Sequence, residues 1–291
     1  MLAYRHAFHA GNHADVLKHT VLVHVLDHMA KKDKGYTLID THAGAGGYSL
    51  LAPEARKNAE ADRGIARLVA RDDLPAAVAR YVELVRAFNP EGGLGRYPGS
   101  PEIARMLLRP QDHLRLYELH PADLQNLAVH HAGRAHTEVH GEDGFSGLAM
   151  QLPPPSRRGV VLMDPAYEMK ADYTLVVGSV REALQRFAEA VVVVWVPQVT
   201  LLAAQQLPKR LTNAANASQR GWLHARLTVQ PPDRQGFGLA GSSVVVINPP
   251  WTLQAALKQS LPFLAKALAQ YDGASYALEH HEPKATNAKR R

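Results

Sequence analysis

The feature that most constrains this chain is a series of short apolar runs that each stop on a carboxylate. Gly159 to Tyr167 reads GVVLMDPAY, where Val160, Val161, Leu162 and Met163 have the pattern of a buried strand that breaks at Asp164-Pro165 and then offers an aromatic ring, Tyr167. The same form recurs at Tyr36-Thr37-Leu38-Ile39-Asp40 and at Leu114-Arg115-Leu116-Tyr117-Glu118. A looser version, His136-Thr137-Glu138-Val139-His140, runs into Glu142-Asp143-Gly144. Strands that alternate with helical segments build a parallel sheet, and ligands collect at the carboxyl edge of such a sheet. Asp40, Glu118, Asp143 and Asp164 therefore predict one small-molecule cleft at the edge of an open α/β sheet.

The residues around these strand ends sharpen that expectation. After Asp40 the chain reads THAGAGGY, and Gly44, Gly46 and Gly47 let the backbone approach a ligand closely. The spacing is not GxGxxG, and no Gly-Lys-Ser/Thr follows, which argues against a nucleoside-triphosphate loop. Glu118 sits where an acid accepts both hydroxyls of a cofactor ribose, and Asp143-Gly144 sits where an adenine edge is bonded. In a plain doubly wound fold the second strand follows the glycine loop after about 20 to 30 residues. Here it arrives only at Leu114, and the gap holds helical material such as GIARLVARDD and LPAAVARYVELVRAFN. We therefore expect an inserted helical subdomain at 50–98 within a main domain formed by 1–49 and 99–276, with Ser100-Pro101 opening the displaced helix.

Further along, Met169 to Ala190 predicts a helix, AVVVVWVP a fifth strand, and WLHARLTVQ with SSVVVINPPW a closing hairpin, for seven strands in all. Between the hairpin strands, PPDRQGFGLAGSS is a partly basic loop able to approach a substrate. Residues 277–291 read as a disordered basic tail.

The N-terminal stretch carries six histidines, His6, His9, His13, His19, His24 and His28. His9/His13 and His24/His28 have the spacing of helical metal ligands, but no acid or cysteine completes a recognisable set, so no metal is expected. From Ala14 a helix is predicted, capped by Asn12 and presenting Val16, Leu17, Val21, Val25 and Met29 on one face. Composition closes off other classes. With no cysteine in 291 residues, disulfides, thiolate metal sites and cysteine nucleophiles are excluded. A net charge of +6 suits an anionic partner. The longest apolar run, Ala190 to Val196, is too short to span a bilayer, and no signal-peptide core follows Met1, so a cytoplasmic protein is expected.

Asp164-Pro165-Ala166-Tyr167 resembles, in three of four positions, the (Asp/Asn/Ser)-Pro-Pro-(Tyr/Phe/Trp) motif of class I methyltransferases that modify the amino group of a base. The chemistry accounts for the residue types. An adenine amino nitrogen is a poor nucleophile because its lone pair is delocalised into the ring. A carboxylate and a backbone carbonyl that bond its two hydrogens draw the lone pair towards a methyl donor, while an aromatic ring stacks on the base. Asn248-Pro249-Pro250-Trp251 fits the motif better. It follows the last strand, however, which runs antiparallel in this fold and ends away from the cofactor edge, so a terminating turn is expected there.

Taken together, YRHAFHAGNHADVLKHT, DTHAGAG, YPGSP, ELHP, EDGF, RRGVVLMDPAYEMK and INPPW resemble the RlmJ family, the bacterial 23S ribosomal RNA adenine-N6 methyltransferases, over Met1 to about Trp251. The resemblance implies a Rossmann-like class I methyltransferase fold with an inserted helical subdomain, working as a monomer on 23S ribosomal RNA free of ribosomal proteins. It implies that His19, His42, Ser100, Glu118, Asp143 and Gly144 bind S-adenosyl-L-methionine, with Lys18 and Asp164 beside them. Asp164, Pro165 and Tyr167 take the catalytic roles, and Tyr4, Arg5 and His6 of the N-terminal arm contact the RNA. One departure is Ala166, where the family has a second proline; its loss costs backbone stiffness, about 0.4 to 1 kcal/mol. The motif leaves two alternatives open, a DNA adenine-N6 methyltransferase and a catalytically weakened RNA-binding protein.

Overall fold

The computed structural model describes residues 4–232 and 238–283. The chain enters through helix α1 (His13–Ala30), strand β1 (Thr37–Asp40) and the short β2 (Gly47–Ser49). Helices α2 (Pro53–Asn58), α3 (Glu60–Arg63), α4 (Ala66–Val69) and α5 (Ala76–Ala87) follow, closed by β3 (Arg96–Pro98). Strand and helix then alternate as α6 (Ser100–Leu107), β4 (His113–Tyr117), α7 (Pro121–His131), β5 (Thr137–His140), α8 (Gly144–Leu148), β6 (Gly159–Met163), α9 (Asp172–Arg186) and β7 (Val191–Gln198). The last part holds α10 (Leu202–Ala217), β8 (Trp222–Thr228), β9 (Gly241–Ile247), α11 (Leu253–Ala267) and β10 (Ser275–His281).

These strands make an eight-stranded sheet in the order β10-β8-β9-β7-β6-β1-β4-β5, beside a two-stranded ribbon of β2 and β3. The five strands from β7 to β5 are parallel, whereas β9 runs antiparallel to both β7 and β8. All five residues of β6 are buried, as a central parallel strand covered on both faces demands. Seven strands were expected in the sheet and eight are present among the described residues. Ser275–His281 pairs antiparallel with β8 from Ser275↔Thr228 to His281↔Trp222, so 277–281 is strand rather than tail. It is an edge strand, largely exposed and studded with Glu279, His280 and His281, which is why its apolar pattern is too weak to read. Residues 284–291 of the expected tail lie outside the described residues.

Helix α1 also departs from expectation. Asn12 caps it as its sequence requires, accepting from the Ala14 and Asp15 amides at 2.9 and 3.0 Å. Instead of one apolar stripe, however, it is buried almost all round, including Asp15, Lys18, His19 and Thr20, because α5, α6 and β9 pack against it. The 50–98 segment hangs from the β2–β3 ribbon, which pairs Gly47 with Pro98 and Ser49 with Arg96. Its Val78, Tyr81, Val82 and Val85 join the same apolar cluster as α1 and β1. Among the described residues no helix is long and apolar enough to cross a membrane.

Candidate active site

Register decides where the strand ends emerge. Asp40, the last residue of β1, lies opposite Leu162 of β6 and Leu116 of β4, so the residues just beyond all three strands surface together. They open into a cavity of about 1020 Å³ whose other walls come from the N-terminal arm, the insert at Glu60 and the segment at Gly238-Leu239. Residues 233–237 of the loop expected to approach substrate lie outside the described residues.

Three of the four strand-end acids line this cavity: Glu118, Asp143 and Asp164. Asp40 does not. It is fully buried behind the wall, accepting from the Ser100 hydroxyl at 2.6 Å and the His42 amide at 3.3 Å. Burial raises its pKa to about 6. Glu118 accepts from the amides of Gly44 at 2.8 Å and His120 at 2.6 Å, which pins the glycine loop to the end of β4. Gly44 has φ +64°, and a Cβ there would lie 2.2 Å from the Tyr48 hydroxyl, so this turn admits only glycine. Burial pushes the Glu118 carboxyl up. Asp143 caps α8, accepting from the Phe145 amide at 3.2 Å and the Ser146 hydroxyl at 2.8 Å. His42 rests edge-on against Phe145, and burial lowers it to about 4, so the ring is neutral.

Asp164 faces the cavity from the tip of β6 and is hydrogen-bonded through Oδ2 to the Lys18 ammonium. Lys18 also pairs with Asp15 at 2.8 Å, one helical turn earlier on α1. Asp15 in turn accepts from the Gly11 amide at 2.8 Å and His6 Nε2 at 2.9 Å, and the other His6 nitrogen bonds the Tyr4 hydroxyl at 2.8 Å. The Tyr4 ring stacks on His9. One line of hydrogen bonds and an ion pair therefore runs Tyr4, His6, Asp15, Lys18, Asp164. Burial alone would raise Asp15, but His6 and Lys18 outweigh it and hold the carboxyl well below its usual range. Asp164 is raised by burial, with Lys18 opposing. The sequence reading missed Asp15; its signal is an acid three residues before Lys18 on one helix face.

The other expected residues divide. Lys18, His19, His42, Ser100, Gly144, Pro165, Tyr167, Tyr4 and His6 all line the same cavity. Arg5 does not; it pairs with Glu54 of α2 at 3.7 Å, because neighbours in an extended arm point to opposite sides. His19 bonds the Tyr97 hydroxyl at 2.6 Å through Nδ1 and leaves Nε2 buried without a partner in the cavity wall. Tyr167 adopts φ +54°, packs on Tyr173 and gives its hydroxyl to the Trp195 carbonyl at 2.7 Å. A tyrosine in the left-handed region is strained, and that tether holds it there. Ala166 lies exposed beside it. Of the spaced histidines, His9 bonds Glu60 at 2.9 Å, whereas His24 and His28 both reach the Thr252 hydroxyl, at 2.9 and 3.4 Å. Asn248 follows β9 at the opposite edge, bonding the carbonyls of Ala188 and Ala190 just before β7, so the second Pro-Pro motif turns away from the cavity.

Comparison with known proteins agrees with this architecture. The family model described as ribosomal RNA large subunit methyltransferase D, RlmJ, matches residues 33–279. The chain is 45% identical to the ribosomal RNA large subunit methyltransferase J of Escherichia coli (strain K12), covering 92% of this chain and 94% of that protein. It is 43% identical to the Haemophilus influenzae protein of the same name, covering 97% and 100%. A solved structure of a Legionella pneumophila protein, 30% identical, superposes with a TM-score of 0.83 over 95% of this chain and 99% of the other. The fold is the Rossmann-like class I methyltransferase fold, and the chain belongs to the RlmJ family of ribosomal RNA large subunit methyltransferases.

Proposed function

We propose that this protein methylates the N6 amino group of an adenine in 23S ribosomal RNA, with S-adenosyl-L-methionine as donor. The observation that carries the reading is Asp164, a half-buried carboxylate at the tip of β6, opening into the same cavity as the glycine loop and Glu118. The donor, when bound, supplies an electrophilic methyl group on a sulfonium. The cavity wall suits such a cofactor: Glu118 offers acceptors for a ribose diol, and the unpartnered His19 Nε2 is a buried polar atom that requires a partner. Neutral His42, Ser100 and the Asp143-Gly144 turn complete the polar rim, with Lys18 behind Asp164.

Asp164 accepts one amino hydrogen of the flipped-out base and the Pro165 carbonyl the other, which restores nucleophilic character to the nitrogen. Lys18 and Asp15 hold the carboxylate in place, so it need not reorganise during transfer. Tyr167 forms the floor under the base, and Tyr4 with His6 closes the cavity from the N-terminal arm. Both acceptors of the motif survive Ala166, so turnover persists in its presence.

The test is incubation with labelled donor and either unmodified 23S RNA or duplex DNA. Label at adenine N6 in RNA is expected. Label in DNA only, or in neither, overturns the reading. Asp164→Ala is expected to abolish transfer while donor affinity stays within a few fold, and undiminished turnover removes Asp164 from its role.

A further inference from the structure

The cavity does not account for Trp251. It is the most exposed large apolar side chain of the described residues, at 83%, and it stands at the sheet edge opposite the cavity. An indole left in water on a mobile loop would be unremarkable, since scattered apolar residues are normal on surfaces. This one is held. Asn248, at φ +53°, ties the turn to Ala188 and Ala190 at 2.8 and 2.7 Å. Pro249 and Pro250 stiffen it, and the next residue, Thr252, bonds His24 at 2.9 Å and His28 at 3.4 Å. The indole meets the His28 ring edge-on, with centroids 6.5 Å apart. A ring fixed in this way loses little freedom when a partner stacks on it.

Its surroundings are cationic. Lys31, Lys32 and Lys34 are exposed at the end of α1 and just beyond it. Arg158, at the start of β6, binds the Met29 carbonyl at 2.6 Å and the Lys34 carbonyl, which brings its charge to the same edge. His28 feels this group: burial first, then Lys31, Lys32 and Arg158, lower its pKa. Of the acids nearby, Asp27 is engaged by Arg80 at 3.0 Å, and Asp112 is buried under Arg109. Exposed Asp33 remains among the lysines. A flat apolar ring framed by positive charge matches the chemistry of single-stranded nucleic acid, where bases stack on aromatics and phosphates meet lysine and arginine.

We propose that Trp251, framed by Lys31, Lys32 and Arg158, is a second contact for the substrate RNA, stacking on an unpaired base remote from the one that enters the cavity. This rests on the RNA reading given above. Phosphates flanking the stacked base meet Lys31 and Lys32, while the catalytic carboxylate lies at the other end of the sheet.

The test measures RNA binding in the Asp164→Ala background, so that turnover plays no part. Two RNAs are compared, a short hairpin holding only the target adenine and a longer 23S fragment around it. Adding Trp251→Ala is expected to weaken the longer fragment about tenfold and leave the hairpin unchanged, with Trp251→Phe close to the parent. Replacing Lys31 and Lys32 by alanine is expected to flatten the salt dependence for the longer fragment by a slope of about one to two. Equal affinity of Trp251→Ala and parent for the longer fragment overturns the proposal. So does a change in sedimentation of the protein alone with RNA affinity intact, which would assign the indole to contact between copies. Failure of the parent to bind either RNA would instead remove the underlying RNA reading.

Discussion

Asp15 is the residue whose loss should be most informative, because it ties Lys18, His6 and the Gly11 amide together in the cavity wall. Asp15→Asn keeps the volume but leaves Lys18 with one counter-charge in a buried site, and breaking a buried pair typically costs about 3 to 5 kcal/mol. We expect transfer to fall by roughly a hundredfold or more, with donor affinity little changed, in a protein whose denaturation midpoint also drops; parallel rate and melting measurements check this. Asp40 predicts a pH effect on stability. Burial raises it to about 6, whereas an unfolded aspartate titrates near about 4, so the folded state holds a proton that the unfolded chain releases. Its stabilising contribution is complete below pH of about 4 and is lost as pH rises through about 6, on the order of 2 to 3 kcal/mol. Denaturant titrations from pH 4 to 8 should show this component in the parent and not in Asp40→Asn. Asp164 and Glu118 could be read from sequence because a strand that ends in an acid announces its own geometry. Asp15 could not, since its importance depends on the N-terminal arm folding back so that His6 lies above it.

Among the elements, the α8 start is the tightest junction at the site. A Cβ on Gly144 would lie 2.0 Å from the Thr41 carbonyl oxygen, a backbone atom that cannot swing aside. Gly144→Ala must therefore push α8 off the loop after β1, and we expect a loss of roughly 2 kcal/mol or more together with weakened donor binding. Gly92 has a positive φ of +84° but open space around it, so Gly92→Ala should cost only about 1 kcal/mol and leave donor affinity alone. Thermal melts with and without donor separate the two. The parallel strands were legible because each is a short apolar run bounded by turn residues, as in GVVLM of β6. Strand β10 was not, because an edge strand exposes most of its side chains and carries charge where a central strand carries valine. The all-round burial of α1 was equally hidden: His13, Asp15, Lys18 and His19 read as a polar face until their partners on β6, on the insert and in the arm are in place.

At the scale of the whole molecule, the sheet leaves one antiparallel end, where β10 covers β8 along its full length. Ending the chain after Ala274 would bare seven residues of β8 backbone, Trp222–Thr228, to solvent. We expect a lower melting temperature and concentration-dependent aggregation on light scattering, with the ends of β1, β4 and β6 still able to bind donor. The insert shares its apolar cluster with α1 and β1, so removing it would strip the floor from α1 rather than trim a free module. Helix α1 also has a metrical consequence. It carries Lys18 behind Asp164 and His28 beneath the exposed indole, ten residues apart on one helix, which is roughly 15 Å of axial rise. A helix enclosed by packed neighbours holds its length, so on the two RNA contacts proposed above the enzyme would act as a caliper with jaws at a set opening. On that proposal, substrates whose loop sits nearer or farther from the target base than that opening are expected to engage one jaw or the other, so that selectivity among RNA stems would follow from length before any base is read.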